Sequence, residues 1–331
     1  MRVASHRVCT APMMDWSDRH CRYFFRQLSS LAPVYTEMIT TGALLHGDAE
    51  RHLHFHPVEH PVALQLGGSE PIDLARCAAL ARQSGYDEIN LNCGCPSERV
   101  QRGAFGACLM AEPTLVADCV RAMQDASGLP VTVKHRLGLD YAEDYDFVRR
   151  FVEVLANSGC GTYVVHARNA VLKGLSPKDN REVPSLRYDE VYRLKREFPE
   201  VQIIVNGGIR TWSEIEMHLQ YVDGIMLGRA AYHDPYILSE ADSRLFGSGT
   251  NPKTRAEVVT AMHAYARVET ARGVSLRSIA RHMLGLFHGQ SRARLWRGML
   301  SDSTRLAAND PDLLMQALDA ATSTAHPAIA A

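Results

Sequence analysis

One stretch of the chain offers a reactive group in a defined setting: Asn90-Leu-Asn-Cys-Gly-Cys-Pro-Ser97. Ile89 and Leu91 alternate with Asn90 and Asn92, so the run reads as a strand that stops abruptly at a turn. Pro96 biases Cys95 toward extended backbone, and Gly94 is expected to let the chain bend just before it. No histidine lies near in sequence to act as a base, and a thiol of ordinary pKa, about 8.5, stays mostly protonated at neutral pH. Cys95 therefore suits a proton donor better than a nucleophile. A lone cysteine is usually a small buried hydrophobe, but the pattern around this one argues for chemistry. Cys93-x-Cys95 is followed by no Cys or His pair at zinc spacing, so no metal is expected.

Other polar residues share this placement. Gln65, Asn92, Lys134, His166, Asn206 and Arg229 each follow an apolar run directly. Two of these runs lead into glycine turns, at Asn206-Gly207-Gly208 and at Gly228-Arg229. Glycine lets an oxyanion approach backbone amides closely, and Arg229 would add a charged clamp. Gln65 could bond the edge of a planar heterocycle, and Lys134 could stabilise negative charge on it. Flavin mononucleotide (FMN) satisfies all of these, with its phosphate at the two glycine turns.

Such residues need a scaffold that brings strand ends together. Short β-rich runs recur at Val8 to Met13, Val34 to Met38, Val62 to Leu66, Glu88 to Asn92, Val131 to His135, Thr162 to His166, Val201 to Asn206 and Gly224 to Leu227. Amphipathic segments lie between most of them, such as Asp73 to Gln83 after Ser69-Glu-Pro-Ile. Strict alternation implies right-handed βαβ crossovers and a parallel sheet. Eight units over roughly 230 residues match an α/β fold of the (β/α)8 TIM-barrel type, whose chemistry sits at the carboxyl ends of the strands. An open doubly wound sheet is the alternative, but no Gly-x-Gly-x-x-Gly follows the first strand.

After Asp234-Pro235 the strand pattern ceases. The expected organisation is a barrel over residues 1–238, a linker over 239–253 and a small helical bundle over 254–331. Thr254-Arg-Ala-Glu257 has capping-box form, and Asp310-Pro311 is expected to open the last helix. A net charge of −1 over 331 residues conceals local polarity. From Arg272 to Ser301 the chain holds Arg272, Arg277, Arg281, Arg292, Arg294 and Arg297 and no acid, with Trp296 among them. Basic residues interleaved with an aromatic suit phosphates and unstacked bases, although an ordinary solvated face has the same composition. Lys173 and Lys178 to Arg181 form a second basic cluster after the sixth strand. Two such patches favour a large polyanionic substrate. No apolar run reaches membrane-spanning length, and the first residues lack a secretory core. The 8 cysteines all lie in the first half without disulfide spacing. A reducing cytoplasm and a monomer are expected.

Ala11-Pro-Met-Met-Asp-Trp-Ser-Asp-Arg-His20, Tyr35-Thr-Glu-Met38, Ala63-Leu-Gln-Leu-Gly-Gly68, the Cys95 stretch, Thr132-Val-Lys-His-Arg136 and Val205-Asn-Gly-Gly208 together resemble the tRNA-dihydrouridine synthases. Ser176-Pro-Lys-Asp-Asn-Arg-Glu182 and the Arg281 to His288 segment, expected to be helical, resemble the DusA subfamily. The resemblance runs from about Cys9 to the last helix. It implies an FMN barrel with a helical tRNA-binding domain, reducing uridine to 5,6-dihydrouridine at positions 20 and 20a of tRNA with NADPH. It implies Cys95 as the catalytic acid, and Pro12, Met13, Met14, Gln65, Lys134, His166, Asn206, Gly207, Gly208, Gly228 and Arg229 as FMN contacts. Asn92 resembles a residue that holds the target uridine, and Lys178, Arg181, Arg294 and Arg297 resemble contacts that orient tRNA. The implied reaction passes hydride from flavin N5 to uracil C6 and a proton from Cys95 to C5. Ser97 to Ala107 is expected to be a mobile loop that carries Cys95 inward. Cys93 departs from the usual aliphatic residue at its position, and by strand alternation it is expected to face the opposite way. A flavin barrel acting on a free pyrimidine or dihydroorotate, and a catalytically silent RNA-binding protein, are the competing readings.

Overall fold

The fold is taken from a computed structural model that describes residues 5–141 and 144–323. The chain's first four residues and the small-residue tail after Ser323 lie outside them. Eight parallel strands alternate with helices: β1 (Val8–Thr10), β2 (Val34–Thr40), β3 (Val62–Gly67), β4 (Glu88–Cys93), β5 (Val131–Arg136), β6 (Thr162–His166), β7 (Gln202–Asn206) and β8 (Gly224–Leu227). Their order, β1-β8-β7-β6-β5-β4-β3-β2, is that of a (β/α)8 barrel. At the two ends of this order, Thr10 N–H of β1 donates to the carbonyl of Pro33, just before β2, at 3.0 Å.

The strands fall where the apolar runs stand, with shifts at their ends. β1 stops at Thr10 rather than Met13 because Pro12 has no N–H for the ladder, and Met13 N–H turns to Ser17 Oγ at 2.8 Å. β2 runs on to Thr40, whose hydroxyl accepts from Ala43 N–H at 3.2 Å and caps the next helix. The pleat sends alternate residues to opposite faces. Cys9, Ala11, Tyr35, Ala63, Val164, Ile204 and Met226 pack together inside the barrel. Ile89, Leu91, Val133 and Val165 are fully buried on the other face.

The chain divides into two compact units. One holds the residues up to Arg22 with Leu31–Gly228, and the other holds Tyr23–Ser30 with the residues from Arg229 on. In the second unit Ser239 to Lys253 is not uniformly irregular. A short helix spans Ala241–Leu245, and Asp242 accepts from Ser29 Oγ and from both Ser30 N–H and Oγ, at 2.7 and 2.6 Å. Helix Arg255–Ala271 starts at Thr254 with the expected capping box. Helices Leu276–Ala280, Ala293–Ser301, Ser303–Ala307 and Leu313–Thr322 follow.

Three expectations for this unit need correction. Arg281 to His288 is a run of turns with bonds such as Leu286 N–H to the Met283 carbonyl at 3.0 Å. There the His233 carbonyl occupies the space beside Gly285, 2.5 Å from where a Cβ would sit. The last helix starts at Leu313, since Asp310 Oδ1 accepts Asp312 N–H at 2.9 Å and closes a separate turn first. Trp296 is fully buried rather than offered to bases. Its Nε1–H donates to the Met283 carbonyl at 2.9 Å and its ring packs 4.7 Å from that of Phe287.

Candidate active site

Asn92 builds the turn that carries Cys95. Its Oδ1 accepts the backbone N–H of Gly94 at 3.1 Å and of Cys95 at 3.0 Å. This side-chain cap makes the bend. Gly94 is outside the left-handed region, and a Cβ there would meet nothing nearer than 3.5 Å, so glycine is not what sharpens the turn. The Cys95 thiol is half-buried and donates to Ser97 Oγ at 3.6 Å, and the Cys95 carbonyl accepts Ala107 N–H at 2.9 Å. Cys93 is fully buried on the face of β4 opposite Asn92, and burial, with nearby Cys119, Cys160 and Cys108, raises its pKa well above the ordinary thiol range. It is therefore a structural thiol, while Cys95 reaches the mouth.

Strand register sets the neighbours. Asn92 is level with Lys134, Gln65 with Asn90, Arg136 with His166, and His166 with Asn206. Gln65, Asn92, Lys134, His166 and Asn206 thus line adjoining strand ends, as the sequence pattern implied. Burial pushes the Lys134 ammonium down to about 7, and Arg136 adds to the effect. No hydrogen bond to Lys134 Nζ is found among the described residues. A half-buried cation with no hydrogen-bond partner among the described residues carries a desolvation cost, which a bound anion would offset.

The glycine turn after β7 is shaped by close approach. Gly207 and Gly208 have φ of 113° and 76°, and Cβ atoms there would lie 2.7 Å from the His166 ring and 2.6 Å from Leu186. Tyr188 holds the turn by donating to the Gly207 carbonyl at 2.6 Å. Asn206 Nδ2 donates to the Met226 carbonyl at 2.8 Å. Pro12 and Met13 are half-buried after β1, Met14 is 57% exposed, and Gly228 faces Ala11. Arg229 opens the short helix Arg229–His233 directly after Gly228.

Residues not singled out in sequence complete the site. Arg136 is buried and donates to the carbonyls of Gly94 at 3.2 Å, Asn169 at 3.1 Å and Asn180 at 2.9 Å. It ties the Cys95 turn to the loop that carries Lys178 and Arg181, both exposed. Burial, with Arg181 and Arg168 nearby, lowers its pKa to about 10. Asn180 is the loop's internal anchor, bonded in both directions to Val171, at 2.8 and 2.9 Å. The signal for Arg136 was the period of two from Lys134. The stretch Ser97 to Ala107, expected to be a mobile loop, contains helix Glu98–Arg102, and Gln101 Nε2 donates to the carbonyls of Pro96 at 2.7 Å and Leu172 at 2.8 Å. Arg294 and Arg297 are exposed on helix Ala293–Ser301 of the second unit.

The family model described as dihydrouridine synthase matches residues 9–323. A tRNA-dihydrouridine(20/20a) synthase of Synechocystis is 54% identical over 313 residues, 95% of this chain and 94% of that protein. Proteins of the same description from Pseudomonas syringae pv. tomato and Pseudomonas aeruginosa are 54% and 52% identical, each over 95% of this chain and 93% and 95% of their own.

Proposed function

Because the chain belongs to the dihydrouridine synthase family, we propose that it reduces uridine to 5,6-dihydrouridine in tRNA, at positions 20 and 20a, with FMN as cofactor and NADPH as electron donor. The names of the relatives support the substrate and the positions. One observation carries the chemistry: a half-buried thiol on an Asn92-capped turn, with Lys134 level with Asn92 on the next strand.

The residues fit an anionic flavin. Gly207 and Gly208 lie so close to His166 and Leu186 that no Cβ fits, which leaves bare backbone at that turn to meet an oxyanion, and Lys134 is a half-buried cation able to meet negative charge. In this reading Gln65, Lys134 and His166 hold the ring, and Asn206, Gly207, Gly208, Gly228 and Arg229 hold the phosphate, with Pro12, Met13 and Met14 alongside. When bound, the flavin supplies hydride to C6 of the target base. The base must leave its stack to reach a pocket at the strand ends. Asn92 holds the pyrimidine edge, and Cys95, in its thiol form, gives the proton to C5. Lys178 and Arg181 on one unit, and Arg294 and Arg297 on the other, meet tRNA phosphates.

The deciding experiment is mass spectrometry of tRNA from cells lacking this protein. A D-loop uridine lighter by two hydrogens is expected at position 20 or 20a, restored by the native gene. Unchanged tRNA would overturn the reading. Turnover of free uracil without RNA would favour a free-pyrimidine enzyme, and purified protein without flavin absorbance would favour a silent RNA binder.

A further inference from the structure

A buried carboxylate that the proposed chemistry does not use lies at the amino end of β4. Glu88 Oε2 pairs with His6 Nε2 at 2.7 Å, and its Oε1 accepts the hydroxyls of Tyr35 at 2.8 Å and Thr132 at 2.7 Å. Burial opposes its charge, but His6 and the two hydroxyls hold its pKa below the ordinary value. From it a chain of bonds climbs the inside of the barrel. Asn90 Nδ2 donates to Thr132 Oγ1 at 2.8 Å, Gln65 Nε2 to Asn90 Oδ1 at 2.7 Å, and Asn92 Nδ2 to Gln65 Oε1 at 2.9 Å. Asn92 Oδ1 then takes the N–H groups of Gly94 and Cys95.

Every donor in this chain points the same way, toward the carboxylate. A carboxylate can only accept and a backbone N–H can only donate, so the two ends permit one orientation of each amide between them. Flipping any one would set donor against donor in a buried place, where an unmet polar group is costly. Both lone-pair positions of Asn92 Oδ1 are taken and one N–H remains, so Asn92 can meet a ligand only as a donor.

We infer that Glu88, Thr132 and Asn90 are positioning residues for the reaction: through this one-way chain they fix the amide sense of Gln65 and Asn92 and the pose of the Cys95 turn. Asn92 accordingly recognises a ring carbonyl, not an amino or imino group. The inference rests on the reading of Asn92 as the residue that meets the target base.

Thr132→Val keeps the shape and removes the hydroxyl, while Thr132→Ser restores it. Asn90→Asp tests the next link independently, since a carboxylate accepts from Gln65 but has no N–H for Thr132. In ligand-free protein, alkylation of Cys95 by iodoacetamide, read by peptide mapping, is expected to quicken by about threefold or more in Thr132→Val and Asn90→Asp. With tRNA, kcat is expected to fall by about tenfold or more with KM within about twofold, as for a misplaced reacting group. Thr132→Ser should return both measures to within about twofold of native. Unchanged Cys95 alkylation in both disrupting variants, or a serine variant as impaired as the valine, would overturn the inference. A native protein that forms no dihydrouridine would overturn the functional reading alone, because the alkylation rates still decide the question of the chain.

Discussion

In the proposed reading Cys95 and Lys134 have opposite tasks, near the ends of β4 and β5, and each yields a test. Cys95→Ala is expected to bind FMN and to oxidise NADPH as the native protein does, yet to lose about 10²-fold or more in dihydrouridine formation, the usual share of a general acid. Stopped-flow flavin reduction, read beside tRNA turnover, separates the two steps. Lys134 is tested through pH. Its folded pKa, lowered to about 7, lies below the unfolded value near 10.5, so the unfolded chain binds the extra proton between them. Its penalty is complete below pH 7 and fades as pH rises toward 10.5. In flavin-free protein, Lys134→Met should therefore exceed the native urea midpoint most at pH 6.5 and progressively less up to pH 9.5. A constant difference across that range would exclude the assignment. Both residues drew attention in sequence, Lys134 as a lone charge after an apolar run and Cys95 as a thiol on the turn before Pro96. Arg136 and Glu88 did not, because a charge inside a strand gives no sign of which buried partners receive it.

At the scale of elements, alternation of apolar runs revealed all eight strands, and errors gathered at their ends. Pro12 explains one early stop, and Thr40, serving as a cap, one extension. Segment Arg281 to His288 misled because its residues have helical spacing, whereas the close carbonyl beside Gly285 comes from a distant part of the chain. The Cys95 turn shows the same limit. Gly94 drew attention, but Asn92 makes the bend, and Gln101 secures the next segment through bonds to Pro96 and Leu172. Gln101→Ala should thus expose the Ser97 to Ala107 segment to limited proteolysis and reduce turnover several-fold at unchanged unfolding midpoint. Equal cleavage rates for variant and native protein would count against that role.

For the whole molecule, the proposed partner is argued from local charge and not from the near-zero overall charge. Arg294→Ala combined with Arg297→Ala is expected to weaken tRNA binding and to flatten the plot of log affinity against log salt by roughly one to two units, leaving NADPH oxidation intact. Trp296, read from sequence as part of that basic face, belongs to the core of the second unit instead. Trp296→Ala should cost about 3–5 kcal/mol in stability by the usual measure of a large aromatic removed from a core, seen as a lowered melting temperature before any specific effect on RNA. Neighbouring arginines made the tryptophan look accessible, and only its bond to the Met283 carbonyl reveals its direction. The barrel, finally, is stitched unevenly: among the described residues β1 has a three-residue ladder with β8 but none with β2, toward which Thr10 N–H reaches the Pro33 carbonyl. Thermal breathing should begin along that seam. In deuterated buffer the Thr10 amide would exchange well ahead of the amides in β4 to β6, and a staple across the seam would slow the opening of the entire cylinder.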